Sequence, residues 1–331
     1  MNKEELILVT GAGGEVGSLS NIVIEKLLNK GFRVRAFMHS GNARIDDIKK
    51  LGAEVFEGDL LNLSDVVHAL KGVSRVYFSM SLSPYYSDAA IIMSSACKQN
   101  GNIKAFVNIS QYEMTYMNFN KMALPEKERQ AWLGGFVKDW SPQERAHWVT
   151  EQALNWSDLP VINVHAAIFI ENPILTWLPL KEVLETGKLR LPFNNQKFAP
   201  IAGYDVAEVI ANILEAPEEH VNQSYTINGP KLIGGDDIAE AYSTVLNHDV
   251  TYESIDLESW SKHYISEVHQ SRNAHTAVHL ETLGRLVASG RNNNEGTEQL
   301  TQLLQREPVD LEYALAHSPK IKEVLTRMSN S

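Results

Sequence analysis

Five short apolar runs, each followed by a stretch with helical periodicity, dominate the first half of the chain and leave few folds open. Leu6 to Val9 reads as a buried strand and leads through a glycine-rich turn into an amphipathic helix from about Val16 to Asn29. Gly31 closes that helix, Phe32 to Met38 is the second strand, and a helix from about Ala43 to Leu51 stops at Gly52. Ala53 to Phe56, Val73 to Ser79 and Ile103 to Ile109 are predicted as strands three to five. Between them lie helices at Leu63 to Leu70 and Ala89 to Gln99. Strands alternating with helices of this length imply parallel pairing through right-handed crossovers, with helices on both faces. The expected class is α/β, a doubly wound parallel sheet.

After Ser110 the pattern changes. Residues 111 to 140 contain aromatics, methionines, Pro125 and a Gly134-Gly135 pair without a simple period, and a long irregular segment after a strand is usually functional. Ser141 followed by Pro142 reads as the start of a helix to Trp156, and Val161 to His165 as a sixth strand. Further on, strands near Tyr225 to Ile227 and Val250 to Ile255 sit among helices. The expected organisation is a nucleotide-binding domain over 1–165 and a smaller, mostly helical substrate-covering lobe over 166–331, some of whose segments return to the main sheet.

The turn Thr10-Gly11-Ala12-Gly13-Gly14-Glu15-Val16-Gly17 lies between the first strand and the first helix. A backbone turning tightly there needs residues without a Cβ, and a dinucleotide pyrophosphate must approach that backbone and the free N–H groups of the helix end. Because the turn opens a βαβ series, it points to a Rossmann-type site with Gly11, Gly13, Gly14, Glu15, Val16 and Gly17 in contact with the cofactor. An acid at the end of strand two would favour NAD. Here the strand runs Arg35-Ala36-Phe37-Met38-His39-Ser40, with no acid before Asp46. Arg35 is expected to face away, so His39 and Arg44 become the candidates for a 2′-phosphate, and NADP(H) is preferred over NAD(H). Asp59 and Leu60 after strand three either flank the adenine or form an ordinary turn. Met80 and Ser81 after strand four, and Ser110 after strand five, fall where ligands meet the carboxyl ends of parallel strands.

A net charge of −11 opposes nucleic-acid binding, which needs a basic surface. No apolar stretch approaches the roughly 20 residues of a membrane span, and the charged first residues do not resemble a signal peptide. With the single cysteine Cys97, these features predict a soluble, cytoplasmic protein without disulfides.

At these residues the chain resembles the NmrA-like family of atypical short-chain dehydrogenases/reductases. The glycine turn, Val34 to His39, Gly58-Asp59-Leu60 and Val76 to Ser81 follow its pattern. So do Ser141 to Glu151, Ile168 to Asn172, Leu191 to Ile201, Asp205-Val206-Ala207 and Gln305 to Pro308. The family includes NADPH-dependent quinone and dye reductases and also redox-sensing regulators, so the resemblance implies the cofactor more than the reaction. Relatives of the short-chain dehydrogenase type carry a Tyr-x-x-x-Lys pair on the helix after strand five; this chain has Gln143 and His147 there. The resemblance implies that His147 holds the nicotinamide ribose or supplies a proton; Lys138 is too remote to substitute. Tyr112 is a second catalytic candidate, and Tyr112, Tyr116, Phe169, Asn172 and Trp177 are expected to wall a flat pocket for a planar acceptor such as a quinone. His275 and His279 have i,i+4 spacing but no accompanying acid motif, so they read as a surface helix, and no metal is expected. Two functions remain open: a reductase of a small planar acceptor, and a non-catalytic NADP(H) sensor acting through a protein partner.

Overall fold

The computed structural model describes residues 4–14, 19–133, 139–291 and 298–329. Strands β1 (Leu6–Val9), β2 (Arg33–Met38), β3 (Glu54–Glu57), β4 (Val73–Phe78), β5 (Ala105–Gln111) and β6 (Val161–Ala166) alternate with α1 (Leu19–Asn29), α2 (Ile45–Leu51), α3 (Leu63–Ala69) and α4 (Tyr86–Asn100). Between β5 and β6 lie a 3₁₀ turn (Tyr112–Thr115), α5 (Phe119–Met122), α6 (Glu126–Trp132) and α7 (Pro142–Trp156). The rest comprises α8 (Trp177–Thr186), β7 (Lys188–Leu191), α9 (Gly203–Glu215), β8 (Ser224–Ile227), α10 (Gly235–Leu246) and β9 (Thr251–Ser254). After these come α11 (Leu257–Trp260), α12 (Ser266–Ser271), α13 (Ala274–Ala288), α14 (Glu298–Leu304), α15 (Leu311–His317) and α16 (Pro319–Ser329).

The main sheet has seven parallel strands in the order β3-β2-β1-β4-β5-β6-β8. Its strands are apolar on both faces because both are covered. In β1, Ile7 and Val9 face a core completed by α1, α2, α9 and α14, while Leu6 and Leu8 face a second core completed by α3, α4 and Leu154 of α7. The order reverses between β1 and β4, the place where such sheets open a ligand crevice at their carboxyl ends.

Ser224–Ile227 extends the main sheet beside β6. A strand not foreseen, Lys188–Leu191, pairs in parallel with Thr251–Ser254. Its four residues alternate between buried leucines and more exposed Lys188 and Arg190 before Pro192 ends the run, too short a pattern to stand out. A separate apolar core ties β7, α8, α10, α13, α15 and α16 together. No helix among the described residues is long and apolar enough to cross a membrane.

Candidate active site

A cleft of about 230 Å³ opens at the carboxyl ends of β1, β4, β5 and β6. Its floor is the glycine turn. Gly11 has φ +78°, and a Cβ there would lie 2.8 Å from the Ser79 carbonyl, so no other residue fits without displacing backbone. Thr10, fully buried, locks the turn to β4: its hydroxyl donates to the Ser79 carbonyl at 2.7 Å and accepts the Ser79 N–H at 2.8 Å. Gly11 and Gly14 line the cleft, as do Met80 and Ser81. Gly13 does not; a Cβ there would meet the Asn42 side chain at 2.4 Å, so its bareness makes room for the β2–α2 loop. Glu15, Val16 and Gly17 lie outside the described residues, as do Gly134, Gly135 and Lys138.

At the far end of the turn, Arg44 donates to the Gly14 carbonyl at 2.7 Å. His39 is exposed, with Nδ1 3.3 Å from the Ser40 carbonyl. Arg35 faces away and is engaged by Glu54 and the carbonyls of Ala69 and Lys71. Asp59 is exposed and accepts the Leu61 N–H at 2.9 Å, a turn bond, and neither it nor half-buried Leu60 lines the cleft. The bare glycine floor and the nearby guanidinium of Arg44 fit a dinucleotide.

The opposite end is a buried polar network from β5, α7 and α13. Ser141 caps α7 in a reciprocal pair with Glu144: the Glu144 N–H donates to Ser141 Oγ at 3.1 Å, and the Ser141 N–H to Glu144 Oε2 at 2.6 Å. This cap aims Gln143 and His147 inward. Gln143, fully buried, accepts the Ser83 N–H at 3.2 Å and His275 Nε2 at 2.7 Å on its Oε1, so its amide nitrogen must be the group donating to His147 Nε2 at 3.1 Å. The His147 ring proton therefore sits on Nδ1, 3.4 Å from Ser110 Oγ. Burial, with His279 and His165 adding to it, holds His147 down to about 3, so the ring is neutral. His279 is likewise held to about 3 by burial and then His275; its Nδ1 lies 3.0 Å from Ser141 Oγ and its Nε2 3.3 Å from the Gln111 amide.

The i,i+4 histidines thus do not mark a surface helix. His279 is 3% exposed and lines the cleft, and α13 packs across α7. Among the described residues no group of three or more His, Cys, Asp or Glu is arranged to hold a metal ion.

Of the expected aromatic wall, Phe169 and Asn172 line the cleft with Ser110 and His147. Tyr112, Tyr116 and Trp177 do not. Tyr112 packs edge-on against Tyr116, which stacks on Trp140 in a cluster with Met114, Met117 and Leu133. Trp177 lies under the Arg272 guanidinium at the start of α8. The apolar wall not foreseen is Leu280 and Leu283 of α13. Glu171 and Asp205, prominent in the sequence pattern, are structural. Glu171 accepts the Gly203 N–H at the start of α9, and Asp205 binds Arg306 at 2.7 Å and the Val309 N–H at 3.0 Å.

A curated relative, an NAD(P)H azoreductase of Xenophilus azovorans, is 26% identical over 255 residues, 76% of this chain and 78% of that protein. The triphenylmethane reductase of Citrobacter sp., solved with NADP(H), shares the fold at a TM-score of 0.71 and 17% identity, covering 94% of this chain and 99% of its own. NmrA, a negative transcriptional regulator solved with NAD, does so at 0.68 and 18%, covering 98% of each chain. A family model described as NAD(P)H-binding matches residues 11–217, and the chain belongs to that NAD(P)H-binding family.

Proposed function

We propose that this protein is an NADPH-dependent reductase that delivers hydride to a small planar acceptor. The observation that carries the reading is the cleft itself: a bare glycine turn at one end and, at the other, the Ser110–His147 pair faced by Phe169, Leu280 and Leu283. In this reading Gly11, Gly14, Met80 and Ser81 hold the cofactor's phosphate side. His39 and Arg44 receive the 2′-phosphate. The nicotinamide, once bound, supplies the hydride. His147, neutral and with its lone pair engaged by Gln143, orients the Ser110 hydroxyl, which is left free to donate its own proton into the cleft as a hydrogen bond. Phe169, Leu280 and Leu283 exclude water and favour a flat, apolar substrate. Two relatives bear reductase names, in line with this assignment.

A second reading, a sensor of cofactor occupancy, is favoured by one observation: α7 carries no Tyr–Lys pair to donate a proton. NmrA shows that the fold also serves a regulator. The deciding experiment follows NADPH absorbance against quinones, dyes and enones, with NADH in parallel. Turnover preferring NADPH supports the reductase. Tight cofactor binding without turnover of any acceptor overturns it in favour of the sensor.

A further inference from the structure

Polar exceptions to the apolar sheet gather under α7. β5 and β6 are inner strands of a covered parallel sheet, where apolar residues are the rule. On the side facing α7 their register sets Phe106 beside Val161, Asn108 beside Asn163 and Ser110 beside His165. α7 follows the same gradient: Leu154 packs on the first pair, Thr150 and Glu151 come one turn nearer the cleft, and His147 meets Ser110. Every polar member of this seam is more than nine-tenths buried. Asn108 donates from Nδ2 to Asn163 Oδ1 at 3.0 Å, and His165 Nε2 lies 3.1 and 3.2 Å from the two carboxylate oxygens of Glu151. Asn108 Oδ1 and Thr150 Oγ1 have no hydrogen-bond partner among the described residues. Buried polar atoms in that state are costly to a fold and are the usual mark of bound water. The seam also reaches two openings. Ser110 and His147 line the cleft, while Asn163 lines a second, polar cavity with Asp158, Gln223 and Ser224 at the amino ends of β6 and β8.

We infer that this seam is a proton path to the hydride acceptor, with the Glu151–His165 pair as its proton-holding station and Ser110 as its outlet; the inference rests on the reductase reading. Hydride addition to a neutral quinone creates an anion that must take up a proton. His147 is a poor source, because its ring proton is directed at Ser110 and its other nitrogen is engaged by Gln143. Tyr86 also lines the cleft, but its hydroxyl is directed at the Ile109 carbonyl and burial pushes it up. In the step proposed, both electrons of the nicotinamide C–H bond pass to the acceptor with the hydrogen, and the nicotinamide becomes a cation. Ser110 gives its hydroxyl proton to the acceptor anion and takes one that started on the imidazolium of His165. Glu151 is the counter-charge for that ring while it carries the proton, and little water screens the pair. His165 then regains a proton from solvent along Thr150, Asn108 and Asn163, so each acceptor consumes one hydride and one solvent proton. Glu151 and His165 act through Ser110 and are positioning residues. They lie close enough to the cleft to be felt there: Glu151 adds to the rise of Tyr86, after burial and Tyr77, and His165 to the fall of His147, after burial and His279.

The test follows NADPH absorbance in single turnovers of the full chain with the neutral quinone menadione, in H₂O and in D₂O. The wild-type reaction should slow about twofold or more in D₂O. Glu151→Gln keeps a hydrogen-bonding partner for His165 but removes the counter-charge. It should lower the rate about tenfold or more and enlarge the solvent effect, while NADPH affinity, read by fluorescence, stays within about twofold. Glu151→Asp should recover part of the loss. Asn108→Leu combined with Asn163→Leu replaces both members of an amide pair and touches nothing in the cleft. That variant should melt near the wild-type temperature yet show the same slowing and the same larger solvent effect. A wild-type rate equal in the two solvents overturns the inference even if the variants fail to fold. So does an unchanged rate in Glu151→Gln. A slower Glu151→Gln with an unaltered solvent effect also overturns it, and would make the pair a structural tie between α7 and β6. Oxidation of NADPH by no quinone, dye or enone defeats the reductase reading, and the inference falls with it.

Discussion

At the scale of single residues, the site is built from groups forced into one ionisation state. His147 and His279, both held to about 3, stay neutral through the physiological range, so their contribution to catalysis is hydrogen-bond direction. Replacing His147 by Ala should lower kcat by about an order of magnitude or more, with NADPH affinity changed little; His147→Gln should recover part of the loss by restoring a donor near Ser110. Steady-state kinetics with any active acceptor checks this, and unchanged turnover removes His147 from the mechanism. Glu144 behaves oppositely. Burial and then Glu113 push it up to about 8, from an ordinary value of 4.5. The folded state keeps the proton that the unfolded chain releases. Its stabilising effect is therefore complete below about pH 4.5 and is lost as pH rises towards about 8. Glu171, raised to about 7 mainly by burial, adds a slope of the same sign. Glu144→Gln keeps a cap-competent residue but removes one titration. The variant should melt at or above the wild-type temperature at about pH 9 and lose less stability between about pH 5 and 9. Parallel melting curves for the two proteins would show that Glu144 does not titrate in that window.

At the scale of elements, the Rossmann half was readable because each strand is bounded by turn chemistry and each helix by a stop. Gly31, Gly52 and Gly72 follow helices and adopt left-handed φ, as their placement predicted. Ser141-Pro142 announces α7, and the reciprocal Glu144 bond completes its cap. The site was less legible because half of it is assembled from afar. His279 meets Ser141 across 138 residues, and Gln111 meets His279 across 168. No local period encodes such pairings. Tyr112 and Tyr116 stand just after a strand, yet the 3₁₀ turn that follows β5 leads Tyr116 into the Trp132–Trp140 cluster, with Tyr112 edge-on against it, rather than into the cleft. The seam at the sheet's far edge tests how tightly the two parts are joined. Just after β8, a Cβ on Gly229 would lie 1.8 Å from the Pro200 carbonyl oxygen, a backbone atom that cannot swing away. Gly229→Ala should therefore cost about 3 kcal/mol or more, read as a lowered urea midpoint. A change below about 0.5 kcal/mol would mean that the seam opens easily.

At the scale of the whole molecule, the cleft joins two cores. Its floor belongs to the parallel sheet and its far wall to α13, which is anchored in the C-terminal core through Ala277, Leu280, Leu283 and Val287. A ligand touching both should couple their local stabilities, because anything bound only to the assembled cleft stabilises every element that must be in place to form it. NADPH at about a hundredfold excess over its Kd should stabilise the fold by about 2.7 kcal/mol. The distribution of that protection is more informative than its size. Cofactor alone should slow amide exchange around Gly11, Gly14, Ser79 and Met80, the parts of the cleft on its phosphate side. Adding a non-reducible planar acceptor analogue with NADP⁺ should extend protection to Ser110 and Gln111 of β5, the start of α7 and the Ala274–Ala288 helix. Those segments share the Gln143–His147–Ser110 and Ser141–His279 contacts, and opening any one of them exposes the others. If protection with both ligands stays confined to the glycine turn and β4, the C-terminal helices are not part of the binding unit. Protection of α13 by the cofactor alone would instead place the histidine network against the dinucleotide rather than the acceptor.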